Sequence, residues 1–136
     1  MKRILISSAL IALICVPLLA LLIYQVFSPG RPRSPETAYQ LVLDWGRLAP
    51  FPKSATKLSI ETSGSMFTRG FRVQFQAPAK EIENWLKASP GTANVAPEQV
   101  TPTKRKYYVT PGKGAEHAEV NVDDETHTVN IYVYWS

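Results

Sequence analysis

The sequence has a single cysteine and two histidines. That excludes a disulfide within the chain and leaves no Cys/His zinc site of the usual spacing. A G-x-S-x-G element is missing, as are the S-D-N and K-T-G elements that accompany a catalytic S-x-x-K. There is no internal repeat. The 11 prolines and 7 glycines punctuate the chain but are too scattered for a low-complexity polymer. An excess of one charge is also missing from most of the molecule. From residue 36 onward 11 Lys and Arg cancel 11 Asp and Glu, so the net charge of +4 rests on Lys2, Arg3, Arg31 and Arg33. Nucleic-acid binding needs a basic face on the domain itself, and the charge sum supplies none.

What is present starts with a long apolar run. Lys2 and Arg3 precede residues 4–27, which are interrupted by Ser7, Ser8, Pro17, Tyr24 and Gln25. As a helix this run is about 36 Å long, enough to cross a bilayer with some tilt. Pro17 kinks such a helix without forbidding it. The run exceeds the 7–15 apolar residues of a secretory signal, and no small-x-small pair follows it. An uncleaved signal anchor over residues 1–27 is the expectation, with a cleaved signal as the alternative. Cys15 lacks the residues a lipobox places before it, and the Gly and Glu of a pilin leader are absent. Two bases in a three-residue tail point to a cytoplasmic N-terminus. The expected setting is the bacterial inner membrane, with lipid contact through residues 4–27 and the remainder outside the cytoplasm. Ser8 and Ala12 form a weak small-x-x-x-small pair within the run.

Residues 28–35 read as a stiff stalk with a proline at every third position. Residues 36–136 read as one small α+β domain. Ser34, Pro35 and Glu36 are a helix start, followed by Ala38, Leu41, Val42, Trp45 and Leu48 at helical spacing. Leu58 and Ile60 alternate with polar residues, as do Phe71, Val73, Phe75 and Ala77, which predicts a hairpin turning through residues 63–66. Pro78 opens a second helix with Ile82, Trp85 and Leu86 on one stripe. Residues 90–103 carry no period and are expected to be loop. Residues 106–110 are a predicted strand. Ala118, Val120 and Val122, then Val129, Ile131, Val133 and Trp135, predict a final hairpin closing on Asp124 and Glu125 with all seven residues on one face. The expected fold is a two-layer sandwich of an antiparallel sheet, about five strands, with two helices.

The chemistry-bearing residues are sparse. Ser54 and Lys57 match S-x-x-K, a pattern common by chance in a chain this size. His117 and Glu119 share a strand face but offer only two ligands, while His127 falls on the other face. Gly112-Lys113-Gly114 lacks the full P-loop pattern. No catalytic residue, metal site or cofactor is assigned. One local cluster, Lys104, Arg105, Lys106, Tyr107 and Tyr108, is suited to an anionic envelope polymer. Tyr132 and Tyr134, beside Thr128 and Asn130 on the face away from the core, form a recognition surface of the kind tyrosine favours.

Several phrases carry a resemblance: Ala49-Pro50-Phe51-Pro52, Gly64-Ser65-Met66-Phe67-Thr68-Arg69, the stretch from Trp85 to Gly91, and that from Tyr132 to Ser136. They resemble small single-pass membrane-anchored bacterial proteins of the planctomycete type, a group without a known function. The resemblance implies an anchored extracytoplasmic domain and brings no activity or site with it. The expectation is a cell-envelope protein with a non-enzymatic interaction domain and an envelope protein partner. The alternatives are a polymer-binding module and, less favoured, a hydrolase.

Overall fold

The computed structural model describes residues 15–20, 34–65 and 67–136. The chain divides into two units, Met1–Arg31 and Pro32–Ser136. In the first, residues 15–20 are helical, with Val16, Leu18 and Leu19 exposed. Most of the apolar run expected to span a membrane lies outside the described residues. Among the described residues no helix is long and apolar enough to cross one. Residues 28–33 of the expected stalk also lie outside them.

The second unit is α+β. It opens with α1 (Pro35–Gly46). The Ser34 hydroxyl accepts a hydrogen bond from the Thr37 amide at 3.3 Å, satisfying a donor that the first helical turn leaves free. Arg47 closes the helix in the left-handed region at φ 51°, and the Leu48 amide donates back to the Leu43 carbonyl at 2.8 Å. Six strands follow among the described residues: β1 (Thr56–Gly64), β2 (Arg69–Gln76), β3 (Glu98–Thr101), β4 (Lys104–Val109), β5 (His117–Asp123) and β6 (Thr128–Trp135). A second helix, α2 (Ala79–Ala88), lies between β2 and β3. The strands form one sheet in the order β1-β2-β6-β5-β4-β3, and every pairing is antiparallel.

Alternation places Phe71, Val73 and Phe75 of β2, Val129, Ile131 and Val133 of β6, and Ala118, Val120 and Val122 of β5 on one face, all buried. Both helices supply the other half of this core through Ala38, Val42, Leu43, Ile82, Trp85 and Leu86. Edge-to-face rings run through it, with Tyr39, Phe51, Phe75 and Trp85 in sequence at centroid separations of 5.8, 5.5 and 5.3 Å. Polar groups inside are paired. Trp85 Nε1 donates to the Ala49 carbonyl at 3.0 Å, and the Ser89 hydroxyl takes the Ala49 amide and donates to the Trp85 carbonyl. The Gly91 amide donates to the Arg47 carbonyl, and a Cβ at Gly91 would press into the Gly46 carbonyl and the Val109 side chain. Glycine there lets the ends of α1 and α2 meet.

Three sequence expectations need correction. Residues 90–103 are not all loop, because they contain β3, the sixth strand. All four of its residues are exposed at the sheet edge, so no apolar alternation betrays it. The final hairpin pairs Asp123 with Thr128 and closes through residues 124–127, two residues off closure on Asp124 and Glu125. His127 turns the chain at φ 50°, so it belongs to the loop and to neither face. A shift of two conserves side-chain parity, so the expected apolar face survives, except that Trp135 at the strand end is exposed. In β1, a register shift between Thr56 and Ser59, with Lys57 at φ 52°, leaves Leu58 exposed while Ile60 packs on the core.

Candidate interaction surface

The helices cover one face of the sheet, and the residues of opposite parity make up the other. The register aligns them in rows. One row runs Glu61, Arg72, Tyr132, Glu119 and Tyr108 across five strands. The next runs Ser59, Gln74, Asn130, Asn121, Lys106 and Glu98 across all six. Tyr134 lies opposite His117 in a third. The Tyr132 ring sits between a charged group and another ring: Arg72 lies over it at 5.4 Å, and the His117 ring is 5.8 Å from it.

Glu119 is the hub of this face. It accepts from Asn121 Nδ2 at 3.0 Å, lies 3.2 Å from His117 Nε2, and faces Lys106 Nζ at 3.5 Å. Burial by itself pushes the Glu119 carboxyl up. The hydrogen bonds from Asn121 and His117 and the charge of Lys106 outweigh it and hold the group below the usual carboxylate range. Asp123, at the end of β5, is also held low, first by the Thr126 amide, against a smaller desolvation effect, with the Glu125 amide and Lys104 adding to it.

The structure splits the five-residue basic–aromatic cluster, because all five lie on β4 and strand side chains alternate. Lys104, Lys106 and Tyr108 project from the uncovered face, and Tyr108 is 55% exposed. Arg105 and Tyr107 take the helix side, where Tyr107 is buried. All three guanidinium nitrogens of Arg105 are engaged there. Its Nε and Nη2 donate to the Asp124 carboxylate at 2.8 and 2.7 Å, Nη2 also reaches Glu83 Oε1 of α2 at 2.6 Å, and Nη1 donates to the Tyr107 hydroxyl. These carboxylates, Asp124 foremost, hold the guanidinium well above its usual value despite desolvation. Burial raises the Tyr107 phenol. The two lysines also have acidic neighbours, Asp123 at 3.8 Å from Lys104 and Glu119 at 3.5 Å from Lys106.

Of the four residues expected to form the tyrosine surface, Tyr132, Tyr134 and Asn130 are half-buried on the uncovered face. Thr128 is buried, and its hydroxyl is engaged by Gln76 Nε2 at 3.0 Å and by the Thr126 hydroxyl at 2.9 Å, so it is withdrawn from the surface. Sequence reasoning missed Arg72, Gln74 and Asn121. The alternation of β2 and β5 placed them opposite the core, but their meeting with Tyr132 and Asn130 depends on strand order. Ser54 and Lys57 are both exposed, Lys57 at the β1 irregularity. Among the described residues no three His, Cys, Asp or Glu side chains converge as a metal site would need.

A shallow groove of about 380 Å³ opens at the β3–β5 end of the uncovered face, lined by Val100, by Lys104, Arg105 and Lys106 of β4, by Asn121, Val122 and Asp123 of β5, and by Asn130. Comparison with known proteins finds no matching family model, no matching curated protein and no matching solved structure.

Proposed function

We propose that this is a membrane-anchored protein of the bacterial cell envelope, held in the inner membrane by residues 4–27, whose C-terminal domain is a non-enzymatic interaction module. In this reading the domain faces the extracytoplasmic side and docks an envelope protein on its uncovered sheet face. The observation that carries the reading is the composition of that face. Tyr132 and Tyr134 lie beside Arg72 and His117 on a rigid sheet, and tyrosine and arginine are the residues that most often anchor protein contacts. The alternative, a grip on an anionic polymer through Lys104, Arg105, Lys106, Tyr107 and Tyr108, finds its cations already facing carboxylates and its members divided between two faces.

The test is site-specific photocrosslinking of the full chain in its own membrane. A crosslinker at position 134 should give one discrete protein adduct, and the same group at Lys87 on α2 should not. The substitutions Tyr132→Ala and Arg72→Ala should each weaken capture about tenfold or more. Equal, diffuse labelling from both positions would sink the reading.

A further inference from the structure

The strand β6 divides the uncovered face into a basic flank and an acidic one. In the row through Tyr132, Arg72 of β2 stands on one side and Glu119 of β5 on the other. In the next row Gln74 and Asn121 flank Asn130 in the same way. Arg72 and Glu119 do not satisfy each other, because a strand lies between them. Among the described residues Arg72 has the Tyr132 ring at 5.4 Å but no ion pair, although Glu61 lies opposite it on β1. The Glu119 side chain is 18% exposed, and its neighbours Asn121, His117 and Lys106 leave part of its acceptor capacity open.

We propose that this face docks on the same face of a second copy of the chain, about a two-fold axis lying along β6. The inference rests on the reading of the sheet face as a protein-docking surface and names the partner as the chain itself. Such an axis exchanges the two flanks. Arg72 of each copy then lies over Glu119 of the other, so one contact is made twice. Tyr132 meets its own counterpart, and Gln74 faces Asn121, amide to amide. Stacked sheets lie about 10 Å apart with their strands within about 30°, a gap that an arginine and a glutamate side chain close together. Other axes oppose like charges. One along β5 sets Glu119 on Glu119, and one along β2 sets Arg72 on Arg72. An axis across the strands lays each strand on itself, acidic β5 on β5 and lysine-bearing β4 on β4. The overlap is also large enough. With β6 at the centre, β1, β2, β5 and β4 take part, and β5 is seven residues long. At about 4.8 Å per strand and 3.4 Å per residue each copy covers roughly 550 Å². The pair covers about 1,100 Å², above the roughly 1,000 Å² that a specific interface needs.

The test uses two differently tagged full chains in one membrane, with a photocrosslinker at position 134 of β6. The expected product is an adduct of twice the chain mass that carries both tags. Arg72→Glu in both copies sets carboxylate on carboxylate and should cut that adduct about tenfold, as should Glu119→Arg in both. Pairing one copy of each variant sets unlike charges at both contacts and should restore the adduct. Near-ultraviolet circular dichroism of each variant checks that it is folded. If Glu119→Arg does not fold, Arg72→Lys takes its place, and it should keep the adduct that Arg72→Glu loses. A discrete adduct with a different protein overturns the second copy as partner and leaves the docking face standing, whereas diffuse labelling overturns both. A two-tag adduct that survives Arg72→Glu, or that the pair of folded opposite variants does not restore, also overturns the proposal.

Discussion

At the scale of single residues, Glu119 shows how a polar surface is given a fixed geometry. Its carboxylate collects Asn121 and His117 of β5 and Lys106 of β4 on one face of the sheet, and its pKa is held low in the folded chain. The sign of the resulting pH dependence follows. A carboxyl whose folded pKa lies below its unfolded value, near 4.5, contributes stability in full above that value and loses it as pH falls through the folded pKa. Urea unfolding of the wild type should therefore show a lower midpoint at about pH 3 than at about pH 6. Glu119→Gln should unfold earlier than the wild type at the higher pH and lose less on acidification. It should keep the part due to Asp123, whose pKa is lowered in the same sense. An equal acid loss in the variant and the wild type would refute the role given to Glu119.

At the scale of elements, Arg105 joins three pieces of chain. It sits on β4, reaches Glu83 on α2, and grips Asp124 in the loop between β5 and β6. Its partners are partly exposed, so solvent discounts the strength of each pair. Arg105→Ala should cost about 1–2 kcal/mol in urea unfolding, and Arg105→Lys should recover only a minor share, because an ammonium cannot fork onto both Asp124 oxygens. If Lys restores the wild-type midpoint, the bidentate geometry is not what stabilises the junction. Elements also decide what was readable. The two helices, β2 and the hairpin of β5 with β6 announced themselves through apolar spacing, since one face of each meets the core, whereas in β1 only Ile60 of the alternating pair packs on it. The strand β3 did not, because an edge strand exposed along its length imposes no burial pattern on its residues. Residues 104–108 looked like one basic–aromatic patch because Lys104, Arg105 and Lys106 are all basic, so no apolar alternation marks Arg105 as the one on the helix side.

At the scale of the whole molecule, the distribution of charge matters more than its sum. The domain from residue 36 onward is formally neutral, and four bases flank the apolar run. Basic flanks gain about 1 kcal/mol each beside anionic headgroups. Salt screens that attraction but not the apolar run, so the proposed anchor predicts that the protein sediments with membranes through high-salt washing and that the mature chain retains residues 4–27. A mature form beginning near residue 28 would mean cleavage and would remove the anchor from the proposal. The neutrality of the domain also frames its uncovered face. Lys104 and Lys106 each have a carboxylate neighbour on the adjacent strand, and Arg72 lies over a tyrosine ring, so the proposed partner is a protein surface rather than a polyanion.

The sequence by itself determined the neutral domain, the α+β class, the faces of the central strands and the helix start at Ser34. Each of these follows from composition, from a period of two or 3.6, or from a local cap, and needs no contact between distant residues. Only the tertiary structure decided strand order, the two-residue displacement of the final hairpin and the edge strand β3. It alone brought Arg72 onto Tyr132, Asn130 beside Asn121, and Arg105 between Glu83 and Asp124. Those meetings join residues far apart in the chain. They depend on which strands become neighbours when the buried faces pack together, and periodicity along one segment carries no record of that choice.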